Sequence, residues 1–250
     1  MIGSRLIRAG AVWLDPPGRF ERCAVRVAGE EIVAIEPTEG AEAAAIDLPE
    51  HFLLPGLVNT HVHLEFSASA LPLAEYLQEA PEERMLRALG NAARLLGSGV
   101  TTARDCGSHW ASLAIARRAD LAPLALPRLL LSGPPVTPRG GHLHMMGGEA
   151  DTRDKVLAMV ARLAEAGAGS IKAMASGGGM TPGTRPECAT YDLATLAAIA
   201  GSARDRRLPS AAHALATESI RRAAAAGFDS IEHCAFFARD GLGRLERVYD

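Results

Sequence analysis

From Leu53 onward one pattern repeats, and it limits the fold more than any other feature: short apolar runs alternate with Ala/Leu/Arg-rich stretches that end near glycine. The apolar runs are 57–63 (LVNTHVH), 100–105 (VTTARD), 126–132 (LPRLLLS), 170–176 (SIKAMAS), 209–215 (PSAAHAL) and 230–236 (SIEHCAF). Each has strand length and ends at turn-forming residues. Between them, EERMLRALGNAARLLGSG, TRDKVLAMVARLAEAGAG, DLATLAAIAGSARDRR and TESIRRAAAAGF place apolar residues at i, i+3 and i+4, the spacing of a helix face. Glycine, which tolerates positive φ, is a common stop for such helices. Two helix-to-strand joins even repeat, GAGSIK and GFDSIEH. Strands alternating with helices make a parallel sheet covered by helices, so the expected class is α/β. A closed (β/α)8 barrel of the TIM type needs eight strands and typically ~250 residues. Six strands are visible in 56–250, and the closing DGLGRLERVYD reads as the helix after the sixth. The choice lies between an open doubly wound sheet and an incomplete barrel of about six βα units.

Residues 1–55 follow a different rule. LIRAGAVWL, CAVRVAGEEIVAIEP and AIDLPEHFLLPG alternate apolar with polar or small residues and break at Gly and Pro, which predicts a small β-rich N-terminal part. Hydrophobic residues make up 48% of the 250, enough for a sizeable core. Lys+Arg 26 against Asp+Glu 29 gives a net charge of -3, so no basic field exists to hold nucleic acid. MIGSRLIRAGAVWLDPPG lacks the apolar core of a signal peptide, and no run approaches the ~20 apolar residues of a membrane helix. A soluble cytoplasmic protein without nucleic-acid or membrane partners is expected. Cys23, Cys106, Cys188 and Cys234 form no CxxC pair and read as buried free thiols.

Histidine carries the chemistry. His61 and His63 are two apart on the first strand, so their imidazoles share a face. They lie at the strand's C-terminal end, where α/β enzymes place their sites, and neutral imidazole is a favoured zinc ligand. His213 and His233 sit near the ends of the fifth and sixth strands. Two solvated loop histidines would explain either pair alone. Four on three strands of one sheet converge only if the sheet curls, which favours the barrel. Lys172 lies amid Ile171, Ala173 and Met174. It either snorkels to solvent or is desolvated, with its pKa depressed. A neutral amine can react with carbon dioxide to give an anionic carbamate.

PGLVNTHVHLEF, GVTTARDCG, GGHLH, IKAMASGGGMTPGT, PSAAHA and GFDSIEHC resemble successive blocks of the amidohydrolase superfamily, in order, over about residues 5–240. The likeness is to its imidazolonepropionase and Xaa-Pro dipeptidase group. It implies two divalent metals, expected to be zinc. His61 and His63 would hold the more buried one and His213 and His233 the other, with Lys172 bridging as a carbamate. His142, in the GGHLH loop 140–144, and Tyr191 become candidate substrate contacts; the bland reading is a flexible loop with incidental histidines. SGGGMTPGT (176–184) lacks the GK[ST] of a phosphate loop and reads as the site loop after the fourth strand. The resemblance also implies that the N-terminal part pairs with a C-terminal segment in a small sandwich.

The superfamily places a proton-shuttling aspartate on strand eight. Asp105, Asp229 and Asp250 are out of order for that role, so no catalytic acid/base is expected in this chain. The expected activity is hydrolysis of an amide or peptide-like C–N bond in a small, dipeptide-like substrate. Alternatives are a cyclic amidine deaminase, an imidazolonepropionase-like ring hydrolase, or an inactive metal-binding fragment or split-enzyme subunit. A homo-oligomer or a complementing C-terminal segment is the expected partner.

Overall fold

The computed structural model describes residues 4–16, 18–38, 46–117 and 124–249. The chain divides into two compact units, Met1–Gly56 and Leu57–Asp250. In the first, β1 (Ser4–Leu14), β2 (Arg19–Glu21), β3 (Cys23–Ala28), β4 (Glu31–Pro37) and β5 (Ile46–Leu53) form one sheet of order β2-β1-β3-β4, with β5 parallel to β1. In β1 and β3, Val12, Cys23 and Val25 are buried, and Leu14, Val27 and Leu53 pack against them. The β1–β5 ladder slips between Ala9 and Ala11, and there the backbones nearly touch. A Cβ on Gly10 would lie 2.3 Å from the Pro49 carbonyl oxygen, so only glycine fits.

The second unit is built on parallel strands: β6 (Leu57–Val62), β7 (Val100–Asp105), β8 (Arg128–Leu131), β9 (Ile171–Met174), β10 (Ser210–Ala216) and β11 (Ser230–Arg239). Hydrogen-bonded ladders run β6-β7-β8 and β9-β10-β11. The segment after β8 continues the sheet, since Val136 N donates to Lys172 O and Met174 N to Val136 O, both at 2.8 Å. The six strands overlap the runs expected from sequence. Helices α1 (Pro72–Gln78), α2 (Pro81–Gly97), α3 (Arg153–Glu165), α4 (Leu193–Asp205) and α5 (Thr217–Ala226) accompany them. Their starts and stops follow local chemistry. Thr152 accepts from Lys155 N and Asp192 from Thr195 N, while Gly227 ends α5 at φ +77°. Val156, Val160 and Leu163 of α3 and Leu196, Ile199 and Ala203 of α4 fill the core with alanines of β9 and β10. Fully burying one such leucine contributes roughly 1.5–3 kcal/mol.

The sheet curls, because side chains of its first two parallel strands meet those of its last: His61 Nδ1 on β6 lies 2.5 Å from Glu232 Oε2, and Arg104 Nη1 on β7 donates to Ser230 Oγ at 3.0 Å. The fold is TIM-barrel-like, but among the described residues no ladder joins β6 to β11, so the barrel is not closed. The helix expected in DGLGRLERVYD is absent. Instead Asp240 accepts from Leu242 N and Arg244 N, Gly243 takes φ +78°, and the chain returns as β12 (Leu245–Arg247), antiparallel to β11. An Asp-Gly-Leu-Gly turn outcompetes a helix with two glycines in its first turns. Among the described residues, no helix is long and apolar enough to cross a membrane.

Among the described residues β6 has a single ladder partner, β7, and exposes Leu57 (57%) and Val58 (64%). An apolar strand edge of this kind invites self-pairing. Val58→Lys is expected to reduce aggregation, read by light scattering, without changing metal content.

Candidate metal centre

The curl gathers the histidines. His61 on β6, His63 just beyond it, Lys172 on β9, His213 on β10 and His233 on β11 line one cavity of about 340 Å³. His142, Gly179 and Met180 line it too, so the 140–144 and 176–184 loops both reach the site. Neighbouring imidazole centroids lie 5.4 Å apart for His61–His63, 4.8 Å for His61–His233 and 4.6 Å for both His213–His233 and His142–His213. His213 and His233 stand within their strands rather than at the ends.

Hydrogen bonds assign the tautomers. His63 donates through Nδ1 to Gly107 O at 3.1 Å, leaving the Nε2 lone pair free. His213 donates through Nε2 to Gly177 O at 3.0 Å, leaving Nδ1. His61 turns Nδ1 to the Glu232 carboxylate, leaving Nε2. Burial, reinforced by neighbouring cations and rings, pushes His63 down to about 3, His213 to about 2 and His233 to about 4. These imidazoles are therefore neutral at physiological pH, the state that donates to a cation.

Lys172 does not snorkel. It is 1% exposed, and among the described residues its Nζ has no hydrogen-bond partner. Burial lowers its pKa to about 8. An unpartnered buried ammonium is costly, so the site suits a neutral amine, its carbamate or an amine facing a ligand. Neutral imidazoles around an orphaned lysine fit a divalent cation.

His142 keeps one ring nitrogen free. Leu143 N donates to Thr181 Oγ1 at 3.0 Å, and the same hydroxyl shares a hydrogen bond with His142 Nδ1 at 2.9 Å, which leaves Nε2 for a ligand. The loop passes so close that a Cβ on Gly178 would lie 2.5 Å from the His142 ring.

Tyr191 is not at the site. Its hydroxyl donates to Ala150 O at 2.6 Å inside the core between sheet and helices, so the expected substrate contact is corrected to a packing role. All four cysteines are free, but only Cys23 and Cys106 are buried; Cys188 is half-buried and Cys234 exposed. The irregular backbone of β11 lifts Cys234 out of the pleat. Asp250 lies outside the described residues.

The sequence does not point to Glu232, and Asp105 is weighed there only as an acid/base. Glu232 precedes His233, and in a regular strand they would face opposite sides. Positive φ at His233 (72°), Cys234 (45°) and Phe236 (56°) breaks the pleat, and both reach His61. Burial works to raise the Glu232 carboxyl, but His61, Lys172, Ser230 and Arg104 outweigh it and hold it near 2. Asp105, fully buried, accepts from Leu64 N (2.8 Å) with one oxygen and Gly107 N (3.0 Å) with the other. It thereby braces both ends of the His63–Gly107 contact. An amide at 105 would turn an NH2 toward one of those N–H groups. Asp105→Asn is expected to weaken metal affinity about 10–100-fold while far-UV circular dichroism stays native; a competing-chelator titration measures it.

The amidohydrolase family pattern matches residues 52–247. The chain belongs to the amidohydrolase family. A 5-methylthioadenosine/S-adenosylhomocysteine deaminase of Saccharophagus degradans is 40% identical over 75 residues, 26% of this chain and 17% of that protein. A Xaa-Pro dipeptidase with bound methionine superposes at TM-score 0.81 with 26% identity, covering 93% of this chain and 62% of its own. A prolidase complexed with N-methylphosphonate-L-proline gives the same TM-score and identity, covering 94% and 62%. The chain thus spans less than two thirds of the relatives it matches.

Proposed function

We propose that this chain carries the metal site of a hydrolase that cleaves a C–N bond, amide or peptide-like, in a small substrate. The observation that carries the reading is Lys172 Nζ, buried and unpartnered among four imidazoles. His61 and His63 would hold one divalent cation, His213 and His233 a second, and Lys172, carboxylated by carbon dioxide, would serve both. A zinc pair would satisfy the set. When bound, such ions lower the pKa of water towards ~7 and polarise a carbonyl.

The residues do the rest. The depressed pKa of Lys172 enlarges its neutral fraction, the form whose nitrogen bonds to carbon dioxide with loss of a proton. Glu232 and Gly107 orient His61 and His63 through their Nδ1 hydrogens. His142, with Nε2 free, would contact a substrate oxygen and, in the tautomer that carries hydrogen there, stabilise negative charge as it develops. Phe66, Leu143, Met174 and Met180 give the cavity apolar walls, which strengthen these interactions. Dipeptide-like substrates are favoured by the likeness to the dipeptidase and prolidase structures. A second reading, deamination of a cyclic amidine, draws on the Saccharophagus relative.

The test is a panel of X-Pro and N-acyl amino acid substrates set against aminopurine and aminopyrimidine bases, with the zinc-loaded chain. Amine release from the amides supports the proposal. Ammonia release from the bases alone overturns it in favour of deamination.

A further inference from the structure

Beside the cavity lies a second group of donors. Cys106, directly after β7, is 1% exposed, and one ligand atom each from His61, Cys106 and Glu232 lies within 4.8 Å of the others. We propose that these three form a thiolate-containing cation site, and that filling it prevents His61 from serving a cation in the cavity. The second clause rests on the metal reading of the cavity; the first does not.

The geometry favours exchange of a proton for a metal. His61 Nδ1 and Glu232 Oε2 share a hydrogen across 2.5 Å. A tetrahedral cation with bonds of about 2.0 Å would hold them ~3.3 Å apart, a separation under 1 Å larger. Arg104 Nη2 (2.7 Å) and Ser230 Oγ (2.8 Å) fix the other oxygen, Oε1, which keeps Oε2 turned to His61. Cys106 Sγ makes only a weak 3.7 Å contact to Thr60 O, so it can swing toward the cation. Thiolate, imidazole and carboxylate together select zinc, cadmium and similar ions over magnesium or calcium. The thiolate and carboxylate charges offset the cation beside Arg104.

Exclusion follows from valence: a neutral imidazole has one lone pair, so a ring ligating through Nδ1 would carry its hydrogen on Nε2 and offer none to the cavity, while the Cys106 thiol proton would leave for solvent. A thiophilic ion entering here would act as an inhibitor without touching substrate.

The test is a Cd²⁺ titration of the metal-free chain, followed by ultraviolet thiolate-to-metal charge-transfer absorption. The wild type and Cys234→Ser are expected to develop the band, and Cys106→Ser to lose it. Glu232→Gln, which leaves the thiol packed, should weaken it even if Cys106→Ser folds poorly. Cd²⁺-loaded wild type should then take up less Zn²⁺ than the metal-free chain. A band that survives both Cys106→Ser and Glu232→Gln, or none in the wild type, overturns the site. A normal band with undiminished Zn²⁺ uptake overturns the exclusion. Failure of the metal-free chain to bind Zn²⁺ at all would count against the cavity reading instead.

Discussion

Lys172→Met is expected to cost the cavity at least one of its two cations while leaving the chain as stable as before, or more so. Methionine matches the length of lysine and removes a buried amine that has no partner. Replacing buried charge by apolar volume is often neutral or stabilising. The ligand set, however, loses its only member able to become an anion by carboxylation. Outer partners of metal ligands already contribute about 10–100-fold in affinity or activity, so losing a central ligand should reduce turnover at least ~100-fold. Elemental analysis should find about two cations per wild-type chain, as in two-metal hydrolases, and at most one in the variant. Bicarbonate should raise metal loading in the wild type and not in the variant. A variant with wild-type metal content would refute the role of Lys172. A variant that melts far earlier would mean that the amine serves the fold instead.

Small carboxylates are expected to accelerate hydrolysis by this chain. Among the described residues, the cavity wall carries histidines, a lysine and apolar groups but no carboxylate, and Glu232 is already engaged by His61 and Arg104. Water attacking a carbonyl must give up a proton, and the leaving amine must gain one. A positioned acid/base typically contributes 10²–10⁴-fold. A polypeptide of these 250 residues should therefore turn over slowly, with a rate that climbs as acetate or formate is added at constant pH and ionic strength. A bulkier carboxylate, excluded by the cavity, should do less. A fast rate indifferent to acetate would mean that a group already in the chain moves the proton. A zinc-loaded chain with no turnover at any acetate concentration would leave metal binding as its function.

Metal ligation and assembly were legible to different degrees along the chain. Among the described residues, the six parallel strands and four of the five α-helices of the second unit follow from apolar periodicity and glycine stops, because these signals are local. His61 and His63 could be paired from spacing alone, since i and i+2 on a strand share a face whatever surrounds them. Their strand positions suggested joining them to His213 and His233 across a curled sheet, but assigning the ligands and adding Lys172 required the resemblance, because nothing local says that strands far apart in sequence meet. Tyr191 illustrates the opposite error: the resemblance made it a candidate substrate contact, yet its hydroxyl turns to Ala150 O in the core.

By itself, then, the sequence determined the α/β alternation, the positions of the parallel strands and the kinds of side chain available for chemistry. These depend on propensity and period, which act over a few residues. Only the tertiary structure decided that the last segment returns as β12 and that Lys172 is buried without a partner. It alone brought Glu232 and Cys106 to His61 and made Asp105 the brace behind His63. Each of these depends on long-range contact or on a departure from regular backbone, as at His233, where positive φ overrides the alternation that a sequence pattern assumes.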